Sequence, residues 1–189
     1  MKANYPKYLE RHRNPFYTLD DASAFSQGFA YYHSNSYPIL MHAHNYYELN
    51  VVTKGECRHY FNNKSHPAKA GDIFMIPPYT EHGYWADSEE PLIFHLIIKN
   101  DITEKYKYQL GKYPGIKILF EVEPQIRMAF SDLSLNINIS KSLLGDFVND
   151  FDELIAIDKE RAEDDGVMFE LKTVCLLCKL AKIISQKYA

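Results

Sequence analysis

Met41-His42-Ala43-His44-Asn45-Tyr46-Tyr47-Glu48, continuing through Leu49-Asn50-Val51-Val52 to Gly55, is the stretch around which the chain is organised. Side chains of an extended strand alternate between two faces, so positions i, i+2, i+4 and i+6 share one. His42, His44 and Glu48 all carry even numbers and are therefore expected to point the same way, as half of a metal site. Further along, Gly71-Asp72-Ile73-Phe74-Met75-Ile76-Pro77-Pro78-Tyr79-Thr80-Glu81-His82 reads as a buried strand stopped by two prolines, with a histidine just beyond the turn. Joined, the two pieces spell H-x-H-x3-E-x6-G and G-x5-P-x4-H.

The chain around them has 189 residues, enough for one well-buried domain with a helical appendage and too few for two large ones. Its formal net charge is −4 and its lysines and arginines are scattered, so these residues form no basic track for a nucleic-acid backbone. A hydrophobic content of 46% with 14% aromatic argues for a packed core. Fifteen tyrosines suit interfaces and pockets for sugar-like or aromatic ligands, and also simply populate strands. Three cysteines, Cys57, Cys175 and Cys178, in a chain whose start has no apolar signal region, point to a reduced, cytoplasmic setting. The longest apolar run, 92–98, is interrupted by His95 and is far too short to cross a bilayer.

Residues 1–20 read as an arm without clear period, able to dock through Phe16, Tyr17 and Leu19. From 21 to 125 short apolar segments recur, bounded by Gly, Pro and Asn. These are 25–32, 39–52, 57–61, 73–77, 82–85 and 92–99, with turns at 34–38, Asn62-Asn63-Lys64 and Ala70-Gly71, a rhythm that favours a sandwich or barrel. The segment 116–122 reads equally as a further strand or a helix start. From 126 to 189 the period becomes helical. Leu143, Leu144, Phe147, Val148, Phe151, Leu154 and Ile155 form one stripe, capped by Ser140, and a second helix follows the break at Asp164-Asp165-Gly166 over 167–184. Leu176, Leu177, Leu180, Ile183 and Ile184 on that second helix exceed what a single exposed helix can hide, so a homodimer built on it is expected.

The two histidine-bearing motifs resemble the two-part signature of the cupin superfamily. The second departs from it at Tyr79, where glycine is usual, and at Ala86, where asparagine is frequent. The resemblance implies a mainly β fold, a double-stranded β-helix or jelly-roll barrel followed by two antiparallel α-helices, and a metal held by His42, His44, Glu48 and His82. With the helix pair after the barrel, the chain also resembles the effector-binding and dimerisation half of the AraC family of bacterial transcription regulators, over roughly residues 25–185. That likeness implies a small-molecule effector, a homodimer, and DNA contact only through helix-turn-helix sequence that would lie beyond residue 189.

Imidazoles and a carboxylate suit zinc, nickel, iron or manganese; in the regulator family the same side chains also serve as hydrogen-bond partners of the effector. Tyr46 shares the even face. On the next strand Arg58 and Tyr60 lie on one face and Cys57, His59 and Phe61 on the other. If it faces inward, Arg58 suits a carboxylate or vicinal hydroxyls, and solvent is the competing placement. Trp85 can stack on a sugar ring, floor a pocket or fill the core. His95 reads as a core histidine, and Cys175 and Cys178 as small core residues. With no Gly-rich phosphate loop, no G-x-S-x-G and no H-E-x-x-H, no catalytic residue is assigned. The sequence favours a non-enzymatic sensor of a carbohydrate-like polar metabolite, with contacts from Tyr46, Arg58, Tyr60, Trp85, His42, His44 and His82. A small metal-dependent cupin enzyme, an isomerase or dioxygenase, is the alternative.

Overall fold

The structure, a computed structural model, describes residues 16–17, 28–33, 38–86, 91–130, 137–160 and 166–188. Of the expected arm over residues 1–20, only the two-residue strand β1 (Phe16–Tyr17) falls among them, and the turn at 34–37 and the break at Asp164 and Asp165 lie outside them. The remaining strands are β2 (Gly28–His33), β3 (Ile39–His44), β4 (Tyr47–Lys54), β5 (Glu56–Phe61), β6 (Lys64–Lys69), β7 (Asp72–Ile76), β8 (His82–Trp85), β9 (Leu92–Ile98) and β10 (Ile137–Asn138). They form two five-stranded sheets, ordered β1-β3-β8-β5-β6 and β10-β7-β4-β9-β2. All pairings are antiparallel except that of β1 with β3. This is the double-sheeted β architecture with C-terminal helices that the motifs imply.

The turns are built as the composition requires. Asn62 and Asn63 both sit at positive φ, 46° and 63°, between β5 and β6, the two-residue hairpin geometry that asparagine tolerates best among residues with a side chain. The stretch 39–52 is two strands and not one: a bend at Asn45 and Tyr46 carries the chain from the first sheet to the second. Beyond β9 the chain turns helical earlier than its polar composition suggests. The helices are α1 (Asn100–Lys105), α2 (Lys107–Leu110), α3 (Pro114–Lys117), a π-helical turn (Ile118–Val122), α4 (Glu123–Ala129), α5 (Lys141–Glu160) and α6 (Val167–Tyr188). The segment 116–122 is thus helical, and the barrel boundary expected at 125 falls inside α4. Ser140 accepts the Leu143 amide at 3.4 Å at the start of α5.

The second sheet is buried on both faces. Leu49, Val51, Ile73, Met75, Phe94, Leu96 and Ile98 pack with the helices in one large cluster that includes Phe147, Phe151, Phe169, Leu177 and Leu180. Phe94 stacks on Phe151 with ring centres 4.0 Å apart. The opposite face, with Val52, Phe74 and Ile93, meets Cys57 and Tyr84 of the first sheet in a second, smaller cluster. The barrel interior lies between the sheets, and the main apolar core lies outside it, under the helices.

This arrangement corrects the expected dimer surface. Leu176, Leu177, Leu180 and Ile184 are buried within the chain, and Ile183 is partly buried against the same core. Their cover is the short-helix stretch that the sequence reading missed. Gly115 of α3 lies so close to α6 that an added Cβ would stand 2.1 Å from the Ala181 carbonyl oxygen, and its amide donates to Ser185 Oγ at 2.8 Å. Cys175, expected in the core, is exposed. Leu180→Ala is therefore expected to lower the unfolding free energy by about 2–5 kcal/mol in urea melts, the range for a buried leucine and well above the roughly 0.5 kcal/mol of a surface change.

Candidate metal and ligand site in the barrel interior

His44 ends β3 in the first sheet and Glu48 stands near the start of β4 in the second, so the bend between them aims both into the barrel from opposite walls. His44 Nε2 lies 2.9 Å from Glu48 Oε2. His82 opens β8 and pairs across the first sheet with His42, their ring centres 4.2 Å apart. The β3–β8 register shifts between Ile39 and His42, a bulge of the kind that re-aims a side chain. His82 Nε2 lies 3.4 Å from Glu48 Oε2, and His95 Nδ1 lies 2.5 Å from Glu48 Oε1.

Proton counting in this cluster shows that its donor set suits a cation. His42, His44 and His82 each turn Nδ1 to a backbone carbonyl, of Leu40 at 2.8 Å, Tyr46 at 2.8 Å and Thr80 at 3.4 Å. A neutral imidazole has one N–H, so Nε2 of each is left as a lone pair. In His44 and His82 that lone pair faces a carboxylate oxygen, and neither Nε2 has a hydrogen-bond partner among the described residues. Two acceptors at such distances repel unless a proton or a metal ion sits between them. Burial lowers the His82 pKa, against the pull of Glu48, and burial followed by the charge of His82 lowers that of His42 to about 3, so these rings stay neutral near pH 7. Burial alone would raise the Glu48 carboxyl, but N–H donation to it from the rings of His44, His82 and His95 holds it well below the usual carboxylate range; with the His44 and His82 protons on Nδ1, a cation among the rings would have to take over that role. The ligand atoms of His42, Glu48 and His82 lie within 4.8 Å of one another, a group that can hold a metal ion. His44 stands just outside this trio, against Glu48, with its ring 6.1 Å from that of His42. The donor set and its anchored Nδ1 atoms fit a divalent metal, with backbone carbonyls fixing the tautomers.

Of the other expected residues, Tyr46 is at the site: its ring stacks on His44 at 4.1 Å and it is buried. Arg58, Tyr60 and Trp85 are not. Cys57 joins the inter-sheet cluster and His59 stacks on Tyr84 at 4.4 Å, so the odd positions of β5 take the inside and the even ones the outer face. Arg58 donates there to Ser65 Oγ at 2.8 Å, and Trp85 is its cross-strand neighbour. Tyr79, the departure from the second motif, keeps the backbone a glycine would adopt, at φ 63°, with its side chain 73% exposed and its amide bonded to the His44 carbonyl at 2.7 Å. The substitution therefore adds local strain at the surface and leaves the interior unblocked.

Three interior residues were not foreseen as site residues. His95 is the one polar side chain of an otherwise apolar strand, and that interruption was its signal; it buttresses Glu48 and stacks on Tyr31 at 4.8 Å. His59 was legible only as the inward partner once Arg58 faces out. Arg127, on α4, had no signal at all. Its guanidinium enters the barrel 4.0 Å from the centre of the Phe74 ring, contacts His59 Nδ1 at 3.2 Å, and pairs with Glu123 one turn earlier on the same helix. Burial pulls its pKa down to about 9, which leaves it charged at neutral pH. Asn50 donates to the Tyr84 hydroxyl at 2.8 Å and adds to the polar lining of the interior. An unsatisfied buried polar group costs about 1–3 kcal/mol, so this lining lowers stability wherever its groups lack partners.

The chain belongs to the AraC-like ligand binding domain family, which matches residues 25–127, over half of its length. Three solved structures are similar over part of their length. An RmlC-like cupin from Shewanella frigidimarina is 22% identical, with 40% of this chain and 69% of that one covered and a TM-score of 0.35. KdgF from a Halomonas species is 19% identical, with 38% and 66% covered and a TM-score of 0.34. A predicted oxalate decarboxylase from Thermotoga maritima is 20% identical, with 42% and 73% covered and a TM-score of 0.35. No curated protein matches the sequence. No helix among the described residues is long and apolar enough to cross a membrane.

The buried histidines also set a pH response. His42 titrates at 6.5 when unfolded and at about 3 when folded, so between these values the unfolded chain binds more protons and stability falls as pH is lowered. His59 and His82, whose pKa values burial also lowers, act in the same direction, and Glu48 adds to the loss below 4.5. In the presence of a chelator, urea unfolding at pH 5 is expected to give a smaller free energy than at pH 7, by up to about 1.4 kcal/mol per pH unit and histidine. Equal values would show that the folded barrel takes up protons.

Proposed function

We propose that this chain is the effector-sensing part of a bacterial transcription regulator, binding a small polar metabolite inside the barrel. The observation that carries this reading is a family-matched barrel whose interior is lined by imidazoles, a carboxylate, an amide and a guanidinium, where a purely structural domain would place apolar side chains. His42, Glu48 and His82, with His44 beside them, hold zinc, nickel, iron or manganese, and the metal supplies a Lewis-acidic anchor for effector oxygens. Tyr46 and the imidazoles line the space around it. A carbohydrate-like metabolite fits this lining. The setting is cytoplasmic, the DNA-reading half is not within these 189 residues, and the chain binds rather than transforms its ligand. Binding shifts the population between two arrangements of the regulator through differential affinity.

Protein purified without chelator is expected to carry near-stoichiometric transition metal by elemental analysis, and His82→Ala to lose it. A thermal-shift screen of sugars, sugar acids and other polar metabolites is expected to yield a stabilising ligand, with a gain of about 2.7 kcal/mol at a hundredfold excess over Kd. A screen in which no polar metabolite stabilises the protein, while one is turned over, would favour the second reading, a metal-dependent enzyme, which the convergent His42–Glu48–His82 group keeps in view.

The homodimer belongs to the same reading. With the leucine cluster buried, the apolar face that α6 still offers is Met168, Leu171 and Cys175, spaced i, i+3, i+7, with Met168 57% and Leu171 43% exposed. Pairing of two copies along this seam predicts that Leu171→Glu converts a sedimenting dimer to a folded monomer. A wild-type monomer would remove dimerisation from the proposal.

A further inference from the structure

His95 reads from the sequence as a core histidine, but its surroundings give it a definite task. It lies on β9 between Tyr31 of β2 and Asn50 of β4, its direct cross-strand neighbours, and reaches diagonally past Asn50 to Glu48. Its Nδ1 meets Glu48 Oε1 at 2.5 Å with both side chains buried. An ionised carboxylate only accepts, so Nδ1 carries the proton. Among the imidazoles of His44, His82 and His95, the last is thus the one that donates an N–H to Glu48, because His44 and His82 direct their protons to the Tyr46 and Thr80 carbonyls.

This division leaves the carboxylate with two unlike oxygens. Oε1 is engaged by His95, whereas Oε2 lies 2.9 Å from His44 Nε2 and 3.4 Å from His82 Nε2, on the side where the lone pairs gather. The ring that makes the division is itself held. Tyr31 lies on it with planes 8° from parallel and centres 4.8 Å apart, and the Tyr84 ring stands edge-on to it at 6.2 Å. The imidazole therefore cannot swing its N–H off Oε1 without leaving the Tyr31 stack. A fixed donor on one oxygen holds the carboxylate in one orientation, and outer partners of this kind orient the carboxylates that bind metals.

We propose that His95 is a positioning residue for the metal centre: its Nδ1–H engages Glu48 Oε1 and presents Oε2 alone to an ion held by His42, Glu48 and His82. The proposal rests on the metal reading of the site given above and adds to it the residue that sets how the carboxylate binds.

Zn2+ is the probe, titrated into the chelator-stripped, purified chain in competition with a chromophoric chelator. His95→Phe keeps a flat ring on Tyr31 and removes the donor, and is expected to weaken Zn2+ about 10–100-fold, the loss typical when an outer partner of a metal ligand is removed. His95→Asn restores an N–H as far from Cβ as Nδ1 is, and is expected to recover most of that loss. A residue needed only for packing would show no such recovery, because asparagine does not replace the stacked ring. In the wild type, 15N spectra of the imidazoles are expected to show the His95 proton on Nδ1 both without and with Zn2+, a measurement independent of whether either variant folds. Equal Zn2+ affinity in a folded His95→Phe protein, no recovery in a folded His95→Asn protein, or loss of the Nδ1 proton on Zn2+ binding would overturn the proposal and leave the metal reading standing. A wild-type chain that binds no Zn2+ removes both.

Discussion

Strand β4 divides its side chains between two interiors, and most of the molecule follows from that division. Leu49 and Val51 enter the apolar layer beneath the helices, while Glu48 and Asn50 face the space between the sheets. Because the helices cover one face of the second sheet, the apolar burial that holds the fold together is concentrated outside the barrel. Each large side chain buried there contributes roughly 1.5–3 kcal/mol. The barrel interior is thereby free to be polar, a placement that would be too destabilising in a protein with only one core.

Within that polar space, Glu48 is the organising charge. Its two oxygens reach imidazoles from both sheets, His44 and His82 on one side and His95 on the other. The His44 and His82 rings are pinned by backbone carbonyls, so they cannot turn their protons toward the carboxylate without abandoning those bonds, whereas His95 meets Glu48 directly through Nδ1. A cation held among these rings would satisfy the arrangement where a hydrogen bond cannot. The opposite end is organised by Arg127, whose helix is continuous through the π-helical turn with the segment that packs Gly115 on α6. The element that closes the barrel interior is thus the same one that seals the C-terminal helix.

The reading of individual residues succeeded where a local rule was enough. Strand parity put His42, His44 and Glu48 on one face, the second motif added His82, and the asparagine pair marked a turn. It failed where the answer depended on which face of a strand meets which layer. Parity on β5 separates Arg58 from His59 correctly, yet parity does not say which set is inside. That was settled by Tyr84 stacking on His59, with the Phe74 ring tilted beside it. The leucines of α6 demanded burial, and the demand was real, but the cover came from the helices of 100–129 and not from a second copy.

By itself, then, the sequence determined the class of fold, the strand-rich first half, the two long helices and the metal-type motif. Each of these is written in short-range periodicity and in fixed spacings that survive any packing. Only the tertiary structure decided that Arg58 and Trp85 face outward, that His59, His95 and Arg127 belong to the interior, and that Leu180 lies in the core. Those outcomes depend on contacts between residues far apart in the chain, such as Arg127 with His59 or Gly115 with Ala181, for which local pattern carries no signal.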